Sequence, residues 1–119
     1  MFATKQEIID IIDEIQQQNL LILVEGKKDK AALEKLSLNS MLLHGSDFFH
    51  RIQEIASYNK EVLILTDFDK EGKMLYCKIA KELEKYGIKV NKKYREFFQK
   101  KTKLSQIEGM DTYVENLEQ

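Results

Sequence analysis

Four short apolar runs alternate with longer amphipathic stretches along this chain. The runs are Leu20 to Val24, Met41 to Leu43, Val62 to Leu65 and Ile88 to Val90. Unbroken apolar runs of this length, bounded by charged or turn residues, are typical of strands buried on both faces of a sheet. The pattern therefore predicts an α/β fold, with a central four-stranded, mainly parallel sheet flanked by helices.

The amphipathic stretches predict the helices. Thr4 and Glu7 form a capping box, so the first helix should begin at Lys5. Ser46 is expected to cap the helix that begins near Phe48. Apolar residues at helical spacing predict four further helices, which are Lys27 to Leu36, Phe48 to Ala56, Lys73 to Lys85 and Asp111 to Leu117.

Two of the predicted strands run into carboxylates. One is followed by Glu25, and another by Asp67, Asp69 and Glu71, with Gly72 expected to turn the chain. In extended backbone Asp67 and Asp69 share one face, about 7 Å apart, and Glu71 should continue the alternation. Right-handed crossovers place these strand ends at one edge, where the clustered charges favour a divalent cation. The alternative is that these acids are ordinary turn residues.

Composition limits the class of protein. The 119 residues are 33% charged with a net charge of −1, which predicts one soluble domain over residues 1–119. No apolar run approaches the ~18 residues that span a bilayer, and no signal peptide is recognisable. We therefore expect a cytoplasmic protein with no membrane partner. The single Cys77 cannot form an internal disulfide and should fill the core, as should Tyr86.

Positive charge is concentrated in residues 88–103, which carry seven cations against Glu96 alone. Because this less regular run also contains Tyr94, Phe97 and Phe98, it predicts a surface that binds nucleic-acid phosphates and stacks on bases. The alternative is that the rings are core and the cations a solvated rim. Including the cations near the acids, the candidate phosphate-binding residues are Lys27, Lys28, Lys70, Lys73, Lys92, Lys93, Arg95, Lys100 and Lys101.

Two segments carry a family resemblance. Residues 24–29 (VEGKKD) and 65–72 (LTDFDKEG) resemble the two signature motifs of the Toprim domain, which topoisomerases, bacterial-type primases, recombination proteins and certain nucleases share. The resemblance covers about residues 20–92, including the His44-Gly45-Ser46 turn, with the N-terminal helix and basic C-terminal extension packed on this core. The chain is most similar to small stand-alone Toprim proteins such as the ribosomal-RNA maturases. It has no room for the strand-passage domains of a topoisomerase.

The resemblance implies a Mg²⁺-dependent enzyme of phosphoryl chemistry, with Mn²⁺ as a substitute and RNA favoured over DNA. It implies metal binding by Asp67 and Asp69, aided by Glu71, and acid–base work by Glu25, although the sequence leaves Glu25 equally able to complete the metal site. Asp29 should favour the start of its helix rather than touch metal. Two alternatives remain, a non-catalytic nucleic-acid-binding module of a larger RNA-processing or ribosomal assembly, and a hydrolase of free nucleotides such as ATP.

Overall fold

A computed structural model describes residues 1–43 and 48–118. The helices are α1 (Lys5–Gln18), α2 (Lys27–Lys35), α3 (Phe48–Tyr58), α4 (Lys70–Lys85), α5 (Lys93–Lys101) and α6 (Met110–Asn116), and the strands are β1 (Leu21–Val24), β2 (Ser40–Leu42), β3 (Glu61–Ile64) and β4 (Lys89–Asn91). A short 3-10 helix, Ile107–Gly109, leads into α6. The predicted turn at His44-Gly45-Ser46, with the cap at Ser46, lies outside the described residues.

The strands form one parallel sheet in the order β2-β1-β3-β4. In the centre, Leu23 of β1 lies opposite Met41 of β2 and Ile64 of β3, and β4 pairs with the outer side of β3. The predicted fold, a four-stranded parallel sheet flanked by helices, is confirmed. Because β1 and β3 are parallel neighbours, the segments that follow them begin side by side, and the Leu65 N–H donates to the Leu23 carbonyl at 2.9 Å.

The sheet separates two hydrophobic cores. One core packs α1 and α5 against the sheet through residues such as Ile8 and Phe98. The other packs α3 and α4 on the opposite side through Ile52 and Ile79. All four residues of β1 are buried, which explains why its sequence is continuously apolar rather than alternating.

No helix within residues 1–43 and 48–118 combines the length and apolar character needed to cross a membrane.

Helix α4 begins earlier than predicted. It starts at Lys70, so Glu71 and Gly72 lie in its first turn. Asp69 is the N-cap residue, and its Oδ1 accepts the Gly72 N–H at 2.8 Å. A side-chain oxygen that satisfies a free N–H at this position starts a helix. The prediction that Glu71 continues an extended alternation is therefore wrong.

The basic run forms helix α5, and its rings belong to the core. Tyr94 and Phe98 are 1% and 0% exposed, and Phe97 packs partly buried against the same core. Tyr94 and Phe98 are four residues apart, so they lie on one face of the helix. The prediction that Phe98 stacks on bases is wrong, and the alternative of a core residue is correct.

Two residues of the α4 region that should be buried are exposed. Cys77 is exposed because it lies about a third of a turn away from the buried stripe that contains Ile79 and Leu83. Tyr86 is 46% exposed because it is the C-cap residue, at the end of the helix. The prediction that both fill the core is wrong.

Candidate functional site

The carboxylates of the two sequence motifs follow the carboxyl ends of β1 and β3. We name this region the acidic edge, and it consists of Glu25, Asp29, Asp67, Asp69 and Glu71. Glu25 comes directly after β1, and the two aspartates after β3 lie in the loop that leads to α4. The parallel pairing of β1 with β3 places these segments next to each other.

Asp29 is the buried acid of this edge, with 8% of its surface exposed. Its Oδ2 accepts the Gly26 N–H at 3.1 Å, which caps the start of α2 as expected. Burial raises the pKa of Asp29, the bond from Gly26 opposes the rise, and the nearby carboxylates of Asp67, Glu108 and Glu25 add to it. Acids from three separate parts of the chain therefore raise the pKa of one buried carboxyl group.

The segment that leads into α6 holds Asp67 in place. The Ile107 N–H donates to Asp67 Oδ1 at 2.8 Å, and the Phe68 N–H donates to the Ser105 carbonyl at 2.8 Å. Residues 105–108 thus form a wall along the acidic edge, and this wall contributes the exposed Glu108. Sequence reasoning missed Glu108 because no local pattern connects this segment to the motif acids.

A cation at this edge would meet few preassembled ligands. No three His, Cys, Asp or Glu side chains converge into a metal-binding group in the part of the chain that the structure describes. Asp67 and Asp69 each use Oδ1 for a backbone N–H, which leaves each Oδ2 without a hydrogen bond to any described residue. Proteins commonly hold Mg²⁺ by one or two carboxylates, with water and substrate phosphate completing the shell. The edge fits that mode, whereas the predicted three-carboxylate group with Glu71 is not assembled.

Arg95 lies beneath the acidic edge and is 4% exposed. Its guanidinium donates to the backbone carbonyls of Ile64, Thr66 and Asp67, at 3.3, 2.8 and 3.2 Å. These are the last residue of β3 and the start of the acid-bearing loop. The prediction that Arg95 binds phosphate at the surface is wrong, because its donors already bind the protein interior. We name this arrangement the Arg95 clamp.

Two aromatic rings complete the clamp. The centroids of the Phe68 and Tyr76 rings lie 5.0 and 4.5 Å from the Arg95 Cζ, a distance at which cation and ring attract. Burial lowers the pKa of Arg95, and burial raises the pKa of Tyr76. Arg95 remains charged nonetheless, since the guanidinium does not lose its proton in proteins. One buried cation therefore joins α4, α5 and the end of β3.

A close backbone contact shapes the loop between β3 and α4. A Cβ atom added to Gly72 would clash with the Asp67 carbonyl oxygen. The Thr66 hydroxyl also donates to the Gly72 carbonyl, at 2.6 Å. Gly72 is thus required for close approach inside the first turn of α4, rather than to turn the chain before the helix as predicted.

The predicted phosphate-binding lysines are exposed, and two of those on α5 lie close to acids. Lys93 pairs with Glu14 at 3.3 Å, and Lys100 lies 4.0 Å from Glu96. Helix α5 has nine residues, so its two ends are about 12 Å apart. Four of the predicted lysines follow the motif acids closely in the chain, namely Lys27 and Lys28 at the start of α2 and Lys70 and Lys73 at the start of α4. Lys92 and Lys101 lie at opposite ends of α5.

Comparison with known proteins agrees with this fold. The Toprim domain model matches residues 20–101. A UPF0292 protein from Pyrococcus abyssi is 38% identical over 97 residues, covering 80% of this chain and 74% of its own. Another UPF0292 protein, from Methanocaldococcus jannaschii, is 34% identical over 116 residues, covering 92% of this chain and 91% of its own. A solved structure of a protein from Aquifex aeolicus has a TM-score of 0.75 and 30% identity, covering 83% of this chain and 94% of its own.

Proposed function

Because this chain belongs to the Toprim domain family, whose members have metal-binding, nucleic-acid-related functions, we propose that it is a Mg²⁺-dependent nuclease acting on RNA. The observation that supports this proposal is the acidic edge, where the parallel pairing of β1 with β3 brings the segments that carry Glu25 and Asp67 side by side. The wall and the Arg95 clamp hold Asp67 from two sides, so its carboxylate is positioned before substrate arrives.

Each residue of the edge has a defined part in this proposal. Asp67 and Asp69 would hold Mg²⁺, or Mn²⁺ in its place, through their second carboxylate oxygens. A divalent cation there neutralises a phosphate and stabilises the charge that develops on it. Glu25 is exposed at the end of β1, where it can accept a proton from an attacking water or give one to the leaving oxygen.

Lysines at the two helix starts complete the proposed site. Lys27 and Lys28 are the first two residues of α2, and Lys70 and Lys73 lie in the first turn of α4 on either side of Glu71. Their ammonium groups would contact the phosphates on either side of the scissile one, each as a point charge.

A second candidate function is a non-catalytic RNA- or DNA-binding module. It would need the same acids only to hold a cation that bridges them to a bound phosphate. Measured turnover of substrate distinguishes this binding module from the nuclease.

The test is cleavage of structured RNA, single-stranded RNA, single-stranded DNA and ATP in Mg²⁺, Mn²⁺ or EDTA. We expect RNA products only with metal. Glu25→Gln should lower turnover about 100-fold or more while RNA binding, measured by fluorescence anisotropy, is retained. Asp67→Asn with Asp69→Asn should lose Mg²⁺ binding in calorimetry while its circular dichroism stays native. Glu54→Gln, an exposed acid on α3, is the control and should behave as wild type.

Binding without turnover of any substrate would favour the module and overturn the nuclease. Turnover of ATP alone would assign the site to free nucleotides.

A further inference from the structure

We propose that a groove beside the acidic edge binds a single-stranded segment of the nucleic-acid substrate. This inference rests on the proposed function. The groove has a volume of about 1150 Å³ and lies between the N-terminal residues, α2, residues 103–109 and α6. Lys28, Lys35 and Lys103 are among the residues that line it.

The groove continues directly from the acidic edge. Its lining includes Ser105 and Glu108, which also belong to the wall that holds Asp67. Glu108 lines the groove and directly follows Ile107, whose N–H donates to Asp67. A nucleic-acid strand bound at the acidic edge would therefore reach the groove once it passes over residues 105–108.

The groove combines cations with an apolar lining. Lys28 and Lys103 form no ion pair with any described residue, so their charges are available to phosphates. The Lys35 Nζ lies 3.5 Å from Asp111 Oδ2, so its positive charge offsets the negative charge of one of the two acids that line the groove. Cations that follow a backbone, next to apolar surface for bases, are the usual features of a single-strand site. The apolar lining includes Ala31, Ala32, Leu104 and Leu117.

Two aromatic rings of the groove are accessible for stacking. Phe2 is 50% exposed, and Lys103 Nζ lies 5.4 Å from the centroid of its ring. Tyr113 is half-buried, and its hydroxyl accepts the Lys103 N–H at 3.2 Å. The groove also exceeds the ~300 to 1,000 Å³ of small-molecule pockets, which favours several linked nucleotides over one. These rings take the stacking role that the sequence assigned to Phe98.

The groove is tested by anisotropy titrations of a labelled single-stranded oligonucleotide over a range of salt concentrations in EDTA. Lys28→Ala with Lys103→Ala should reduce the magnitude of the slope of log K against log salt by about 1.4, because each lost single-strand phosphate contact accounts for about 0.7. Phe2→Ala should weaken binding at fixed salt about fivefold or more. The matched control is Lys60→Ala with Lys81→Ala, which removes the same charge outside the groove and should retain the slope.

A crosslinking experiment locates the strand. An oligonucleotide that carries 4-thiouridine should crosslink to Phe2 or Tyr113, as read by mass spectrometry. Crosslinks confined to α5, or a groove variant with the wild-type slope, would overturn the proposal. A wild-type protein that binds no oligonucleotide would overturn it as well and would leave a protein partner as the occupant.

The two proposals fail separately. Groove variants that bind like wild type while RNA is still cut remove the groove alone. Intact groove binding without cleavage removes the nuclease alone.

Discussion

At the scale of single residues, Gly72 shows how the acid-bearing loop depends on backbone packing. The space that a side chain would need is occupied by the carbonyl of Asp67, a candidate metal ligand. The Gly72 N–H also donates the N-cap hydrogen bond to Asp69 Oδ1, so one residue contacts both aspartates of the motif. Any shift here therefore moves both candidate ligands.

We predict that Gly72→Ala destabilises the protein by about 1 to 3 kcal/mol, because the added methyl group forces the Asp67 backbone to move. Mg²⁺ affinity should fall together with stability. Urea unfolding and calorimetric titration measure the two effects.

Gly109→Ala is the matched control. A Cβ atom there meets nothing within 4 Å, so the change in stability should stay within about 0.5 kcal/mol. Equal effects at both positions would contradict the close-approach argument.

The residues that could be predicted from sequence are those whose partners are near in the chain. The Thr4 hydroxyl accepts the Glu7 N–H at 3.1 Å, and the Glu7 carboxylate accepts the Thr4 N–H at 3.0 Å, as the capping box requires. Gly87 follows the C-cap residue of α4 and has a φ of +76°, a left-handed conformation in which helices commonly end with glycine. Glu108 was missed because it reaches the acidic edge through tertiary packing alone.

At the scale of secondary structure, α5 carries a structural cation where the sequence suggested a binding surface. Counting charges in residues 88–103 does not reveal which of them points inward. The spacing of Tyr94 and Phe98 was the available signal, since residues four apart share one face of a helix. Arg95 follows Tyr94 directly, and its burial depends on carbonyls that only the folded sheet presents.

We predict that Arg95→Met lowers the free energy of unfolding by about 3 kcal/mol or more. The change removes the hydrogen bonds that the charged guanidinium donates, and it leaves the buried carbonyls of β3 and the following loop without that donor. Arg95→Lys should recover only part of the loss, because an ammonium lacks the planar fork that reaches several carbonyls. Chemical denaturation followed by circular dichroism gives the values.

Lys100→Met on the same helix is the control for Arg95. Its ion pair with Glu96 is exposed, so the change should cost less than about 1 kcal/mol. If Arg95→Met were no worse than this control, the clamp would not stabilise the loop.

The strands, by contrast, were predictable from sequence. The apolar runs place each predicted strand within a residue of its observed bounds, and the runs of the two central strands are buried throughout. The edge at which the acids meet follows from parallel pairing. The start of α4 could not be predicted in this way, because the sequence pattern does not show that Asp69 caps the helix instead of extending the strand.

At the scale of the whole molecule, the sheet divides the interior into two cores that are covered by different helices. Ile8 on α1 and Ile52 on α3 are each 0% exposed and lie on opposite sides. The two cores share the sheet, so they should unfold in one transition while tolerating small changes independently.

We predict that Ile8→Val and Ile52→Val each cost about 0.5 to 1.5 kcal/mol and that their effects add within about 0.5 kcal/mol. Urea unfolding of the single and double variants completes the cycle. Ile52→Val with Ile79→Val, inside one core, is the comparison and should depart further from additivity. Strong coupling between Ile8 and Ile52 would mean that the sheet transmits packing changes from face to face.

Parallel pairing also affects the order of events during folding. Among the described strands no neighbours can zip together from a tight hairpin, so every pairing must first close a long loop of chain. The β1 and β2 pair closes the shortest one, with Leu23 and Met41 less than half as far apart in the chain as Leu23 and Ile64. Loop closure is least costly there and most costly for β1 with β3. The acidic edge lies on that slowest junction, so a folding intermediate with only the first crossover in place would lack it.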